Sequence, residues 1–400
     1  MAWRDTDPVK ERIAFIEMYQ KRRYTMVELC ELFDVSRKTG YKYVKRFEEE
    51  GWKGLADRAC AAHTHPNQTD PAVADLIVEL RREKPRWGAE KILAYLVPRH
   101  PEITFPAIST TSDIIRREGL IVPRRKRRKI EHPGKPAVGP ITSPNELHNV
   151  DFKGQFKTLD GKLCYPLTLT DTFSRALLLC EALDSPTLVR TQKALEKVFR
   201  ETGLPVRIRF DNGPPFASSR SLAGLSRLGV WLTKLGIEII RTRPGHPQDN
   251  AVHERMHRTL KEETALPPSA DLRSQQRSFD AFQLEYNQER PHQALGGQTP
   301  ASLYSPSSRS LPRTIPPMEY PPHFQVRKAN EDGRIKWRGQ LLFVSESLRK
   351  ELIGFEETAH GIWRVYFGTL SLGLLDEREM QIVDPVKGLK KQPRGNVENE

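Results

Sequence analysis

Two proline-rich stretches divide this sequence before any motif is considered. Prolines at 123, 133, 136 and 140 punctuate a basic run, and six more fall between 306 and 322. Proline fixes φ and removes a backbone donor, so neither stretch belongs to a continuous helix or a central strand. The apolar pattern changes across both breaks. It is helix-like before residue 122, mixed from 146 to about 305, and a series of short strand-like runs from 323. At 400 residues the chain is also too long for one ordinary domain. The expected organisation is multidomain: all-α units at 1–60 and 68–122, a linker at 123–145, an α/β core at 146–305, a small all-β barrel at 323–384, and a disordered tail at 385–400.

In the first unit, "TMVELCELFDVSRKTGYKYVKRFEE" reads as two short helices with a tight joint. Thr25 and Ser36 are placed to cap them, because a hydroxyl at that position accepts from free N–H groups. Leu29, Leu32, Val35 and Val44 supply a small core. Arg37, Lys38 and Lys42 fall on the outer side of the second helix, the plan of a helix-turn-helix with a basic recognition helix. The second unit opens at Asp70-Pro71, with further helices in "RWGAEKILAYL" and "STTSDIIRREGL".

The net charge is +13, and much of it is concentrated. Between Arg116 and Lys135 lie nine basic residues, including Arg124, Arg125, Lys126, Arg127, Arg128 and Lys129, against Glu118 and Glu131 alone. Such a strip is the footprint of a polyanion, most simply nucleic acid. No apolar run is long enough to span a membrane, and the N-terminus is charged from the start. The four cysteines are scattered without a C-x-x-C pair, which fits a reducing cytoplasm. Cys60, His63 and His65 lie close together but lack a fourth ligand for zinc.

In the mixed segment, "ELHNVDFKGQF", "CYPLTLTDTF" and "ALLLCEAL" are strand-like, followed by alternating helix and strand. Residues 218–236 read as one of those helices. Three acids stand out. Asp151 lies mid-strand, Asp211 ends a buried strand before Asn212-Gly213, and Glu254 lies one turn into a helix after a proline-rich loop. Each has a plain alternative: an ion pair of Asp151 with Lys153, a turn role for Asp211, a pair of Glu254 with Arg258. Together they describe hard oxygen donors for Mg²⁺ or Mn²⁺, because buried carboxylates need a neutralising cation. Two such ions suit phosphoryl transfer. Arg258 and Lys261 share the face of Glu254 and suit phosphates. Asp171 in "LTDTFSR" reads instead as the cap of a turn.

Residues 253–257, "HERMH", match the H-E-x-x-H of zinc peptidases. No H-x-x-G-x-x-H extension follows, and Glu285 or Glu289 is only a loose third ligand. His253 and His257 are therefore assigned no metal role and are read as neighbours that could touch DNA.

"NVDFKG", "FDNGPPF", "RPGHPQDNAVHERMHRTLKEE" and "FQLEYNQERPHQALGGQTPASLY" closely resemble the integrase-type core of bacterial insertion-sequence transposases, and "ELCELFDVSRKTGYKYVKRFEEEG" resembles their helix-turn-helix. The resemblance covers roughly residues 10–305. It implies a ribonuclease-H-like core at 146–305 and a DDE triad of Asp151, Asp211 and Glu254. It also implies two Mg²⁺ (or Mn²⁺) ions, cutting and joining at element ends, and a homo-oligomer on DNA in the bacterial cytoplasm, associated with the nucleoid. His148, Phe210 and Ala251 stand where Trp, Thr and Gly are common. Forty-two residues separate Asp211 from Glu254, a surplus of roughly two helical turns, which is read as a lengthened or added helix around "LAGLSRLGVWLTKLG". The main alternative is a catalytically inactive DNA-binding protein or transcriptional regulator derived from such a transposase.

Overall fold

Helix starts in the N-terminal part follow the capping chemistry of the sequence. In the computed structural model, which describes residues 7–58, 68–121, 139–218, 221–242 and 251–383, the chain divides into two compact units, Met1–Thr69 and Asp70–Glu400. The first unit contains α1 (Pro8–Gln20), α2 (Met26–Leu32) and α3 (Arg37–Glu50). Thr25 caps α2 in a full capping box with Glu28, and Ser36 caps α3. Leu29, Val35 and Val44 are buried as expected, but Leu32 is 50% exposed. Its place is filled by Phe15 and Ile16 of α1, a helix whose weak amphipathic pattern hid it. Gly40 lets α3 approach this core, since a Cβ there would stand 2.8 Å from Cys30 Sγ. Buried Arg12 donates to the Leu55 carbonyl at 2.9 Å and pairs with Asp57.

The second unit begins with α4 (Pro71–Glu83), α5 (Ala89–Leu96) and α6 (Ile108–Arg117), around Ile77, Leu80, Trp87, Ile92 and Ile115. Asp70 caps α4 and Pro71 occupies its first turn, as read. The basic strip from Arg124 to Lys129, and Cys60, His63 and His65, lie outside the described residues.

A mixed sheet follows, built from β1 (Leu147–Phe152), β2 (Phe156–Lys157), β3 (Leu163–Asp171), β4 (Leu177–Leu183), β5 (Arg207–Phe210) and β6 (Glu238–Arg241). Its order is β2-β3-β1-β5-β6, with β4 also on β3; β1, β5 and β6 run parallel, and β1, β3 and β4 alternate in direction. Helices α7 (Leu188–Thr202) and α8 (Arg227–Lys234) cover one face, over Val150, Leu167, Leu169, Ile208 and Phe210. Helices α9 (Ala251–Thr264) and α10 (Leu272–Gln288) serve the other face, where Met256, Leu260, Phe279 and Phe282 meet Cys164, Leu177 and Cys180. A short helix, α11 (Pro300–Leu303), ends this region. The α4–α6 bundle attaches to the α9–α10 layer through charge: Lys84 reaches Glu285 at 3.0 Å and Glu289 at 3.5 Å, and Arg86 pairs with Glu262.

The C-terminal part corrects one expectation. Strands β7 (Gln325–Lys328), β8 (Arg334–Trp337), β9 (Gln340–Phe343), β10 (Leu352–Ala359), β11 (Ile362–Phe367), β12 (Leu370–Asp376) and β13 (Gln381–Val383) form no closed barrel. They make an open five-stranded antiparallel sheet in the order β13-β12-β11-β10-β7, plus a β8–β9 hairpin. A barrel needs its first and last strands to pair, and here β7 and β13 stand at opposite edges. The surplus before β6 is also reassigned. It does not form one long helix over 218–236: a 3₁₀ turn at Leu222–Gly224 precedes the short α8. Leu225 and Val230 from this segment enter the C-terminal core with Trp337, Ile353, Phe355 and Val365. The extra residues therefore build the seat on which the last sheet packs. No helix among the described residues is long and apolar enough to cross a membrane.

Candidate active site

Strand register brings the first two acids together. β1 and β5 run parallel, with Leu147 opposite Arg207 and Asn149 opposite Arg209. Continued along the chain, the same offset sets Asp151 level with Asp211, just past the carboxyl end of β5. Side chains alternate along a strand, so Asp151 lies on the opposite face from buried Val150, toward α9. An Asx turn fixes Asp211, whose Oδ1 accepts from the Gly213 N–H at 3.0 Å. Asn212 is tied to the Thr242 carbonyl at 3.0 Å.

Glu254 arrives from α9. The inward face of that helix is fixed by His253, Met256, His257 and Leu260, all buried. Glu254, Arg258 and Lys261 are left exposed on the outer side. The Asp151 carboxyl senses the charges of both other acids. Burial, then the Asp211 charge, and with a smaller effect the Glu254 charge, push the Asp151 carboxyl up to about 7, against partial relief from the Phe152 N–H and Lys153. A divalent cation held at Asp151 would relieve the repulsion it feels from Asp211 and Glu254. The donor set is all oxygen, which fits Mg²⁺ or Mn²⁺.

The two histidines of "HERMH" are buried, contrary to the expectation that they could touch DNA. Both are 1% exposed and face the sheet. Both Nε2 atoms meet the Thr168 hydroxyl, at 2.8 Å for His253 and 2.7 Å for His257. His253 Nδ1 meets the Thr170 hydroxyl at 2.8 Å. Burial keeps His253 down at about 3 and His257 lower still. A zinc peptidase needs both imidazoles open toward one ion; here their Nε2 atoms are spent on one hydroxyl. One donor atom each from Asp151, His253 and His257 nevertheless lies within 4.8 Å of the others. Sequence reading missed Thr168 and Thr170. The available signal was two threonines at period two, on the strand paired antiparallel with the one bearing Asp151.

Asp171 behaves as read. Its Oδ2 accepts from the Ser174 N–H and hydroxyl, and its Oδ1 from the Asn145 N–H, closing the turn before β4. His148 lies buried on the α7–α8 side of the sheet, bonded to Asn145 Oδ1 at 3.1 Å. On α3, Arg37, Lys38 and Lys42 are exposed, as a recognition helix requires.

Five known domain families match parts of this chain. Residues 11–59 match a helix-turn-helix domain family and 39–115 a homeodomain-like domain family. Residues 141–247 and 235–300 match two integrase core domain families, and 324–383 match the IS481 family transposase C-terminal domain. A protein of insertion element IS407 from Burkholderia multivorans is 25% identical over 62% of this chain and 87% of its own length. A protein of insertion element IS476 from Xanthomonas euvesicatoria is 26% identical over 69% of this chain and 72% of its own length. Among solved structures, the HTLV-2 integrase catalytic core domain in complex with magnesium is 20% identical, covering 40% of this chain and 97% of that one, with a TM-score of 0.32. An integrase core between helix-turn-helix units and an IS481-type C-terminal domain makes this chain an insertion-sequence transposase.

Proposed function

We propose that Asp151, Asp211 and Glu254 form the metal-binding triad with which this transposase cuts the ends of its element and joins them to target DNA. The observation that carries the reading is the β1–β5 register, which sets the half-buried Asp151 level with Asp211; the charges of Asp211 and Glu254 act on its carboxyl. The chemistry supplied by two divalent ions at such a site is activation of an attacking oxygen and stabilisation of the leaving one. The chain's own residues do the rest. β1 and the Asx turn at Asp211 hold two carboxylates at adjacent strand ends, and α9 brings the third. Arg258 and Lys261, exposed beyond Glu254, align the phosphodiester backbone. Arg37, Lys38 and Lys42 on α3 read the terminal inverted repeat in the major groove, and the strip from Arg124 to Lys129 adds sequence-independent affinity. Hydrolysis at the element end frees a 3′-hydroxyl, which then displaces in line at target DNA. Both ends must be held together, so the working form is a multimer.

The test is strand cleavage of a labelled terminal inverted repeat in Mg²⁺ or Mn²⁺. Glu254→Gln is expected to abolish cleavage while DNA binding stays within about twofold; cleavage at the wild-type rate would refute the triad. Binding without cleavage by the wild-type chain would favour the DNA-binding regulator instead.

A further inference from the structure

The Thr168 hydroxyl lies within hydrogen-bond distance of the Asp151 carbonyl and of both imidazoles. Thr168 Oγ1 has one proton, and that hydroxyl donates to the Asp151 carbonyl at 3.1 Å, an atom that can only accept. With that proton on the carbonyl, its lone pairs accept from both imidazoles, and His253 and His257 each carry their proton on Nε2. The two Nδ1 atoms are left as bare lone pairs with different surroundings. His253 Nδ1 accepts from the Thr170 hydroxyl. His257 Nδ1 faces Asp151 Oδ2 at 3.9 Å. A divalent cation between the two atoms would hold them at that range. Two donors bound to one ion at about 2.1 Å each stand no more than about 4.2 Å apart, so the separation fits a shared ion.

From this arrangement we propose that His257 Nδ1 is a nitrogen ligand to the divalent ion held by Asp151. The proposal rests on the carboxylate reading of the site and adds a soft donor to it. Imidazole favours Mn²⁺ and later transition metals over Mg²⁺, so the site prefers Mn²⁺ more strongly than carboxylates alone would. His253, one turn earlier and equally buried, has both ring nitrogens committed to threonines and is not a ligand. Thr168 is the positioning residue, because its hydroxyl selects the His257 tautomer that aims Nδ1 at the ion.

The experiment is electron spin-echo spectroscopy of bound Mn²⁺ on the full, tag-free chain without DNA in nitrogen-free buffer, with Mn²⁺ and Mg²⁺ affinities measured by titration. Wild type and His253→Ala are expected to show directly coordinated ¹⁴N. His257→Ala and His257→Gln are expected to lose it, with Mn²⁺ affinity falling about tenfold and Mg²⁺ affinity falling less. Mn²⁺ bound by the wild type in an Asp151-dependent way but without ¹⁴N coupling overturns this inference and leaves the triad standing. Coupling that survives in either His257 variant overturns it too. No Mn²⁺ binding by the wild type, or binding unchanged in Asp151→Asn, overturns both. The wild-type spectrum alone decides the matter if a variant fails to fold.

Discussion

The central sheet has two faces made from the same strands, and they do opposite work. On the α7–α8 face, Val150, Leu167 and Leu169 pack into a continuous apolar core. One residue along in each strand, Asp151, Thr168 and Thr170 turn to the α9 face and meet two imidazoles. The period of two lets a single strand pair carry a rigid foundation and a polar site without either diluting the other. A charge that is costly to bury can be tolerated here because the other side of the same backbone is well anchored.

The comparison can be broken most sharply on the polar face. Glu254→Gln is expected to lower strand cleavage about a thousandfold or more with little change in melting temperature, since it removes charge and not packing. Leu169→Ala, on the apolar face, is expected to cost about 2–5 kcal/mol in denaturant unfolding while cleavage at low temperature falls less than about threefold. Thr168→Val sits between them. It strands two imidazole N–H groups at a cost of about 1–3 kcal/mol and is expected to lower cleavage about tenfold. Equal effects from Leu169→Ala and Thr168→Val on both readouts would erase the distinction between the faces.

A pH series sharpens it further. The Asp151 carboxyl has an ordinary value of 3.8 and is raised to about 7 in the fold. Its contribution to stability is therefore fully present below about pH 4 and is lost as pH rises toward 7. Added Mg²⁺ is expected to raise the melting temperature a few degrees more at pH 8 than at pH 5. Asp151→Asn should flatten that difference, and a metal effect independent of pH would contradict the assignment. The smallest effect belongs to His148→Leu on the apolar side. Asn145 Oδ1 keeps the Tyr304 hydroxyl as a donor, so stability should move by less than about 1.5 kcal/mol and cleavage should not move.

Local chemistry made much of this legible in the sequence. Thr25, Ser36 and Asp70 announce their helices because a cap depends only on residues within a turn of it. Asp171 announces a turn for the same reason. The three acids stood out because carboxylates beside apolar runs need a cause. What stayed hidden depended on partners far along the chain. His253 and His257 share a spacing with peptidase ligands, and only the packing of α9 on β3 shows their Nε2 atoms bound to Thr168. Residues 218–236 read as one helix because their apolar residues serve two cores at once, Leu228 and Leu232 the central one and Leu225 and Val230 the last. No single helical period separates those two demands. The C-terminal strands were visible as strands, but whether their sheet closes is decided by edge pairing that no local window contains.

The seat at Leu225 and Val230 also sets a timetable. Its partners Ile353, Phe355 and Val365 leave the ribosome more than a hundred residues later. At roughly 5–20 residues per second, that is a delay on the order of ten seconds. For most of it the nascent chain has the central sheet and α9 already made but carries a bare apolar patch beside them. A gene copy that ends early would hold its product in that state permanently. Deletion of residues 324–383 is thus expected to give an aggregating protein, and a monodisperse truncated chain in size-exclusion chromatography would contradict this.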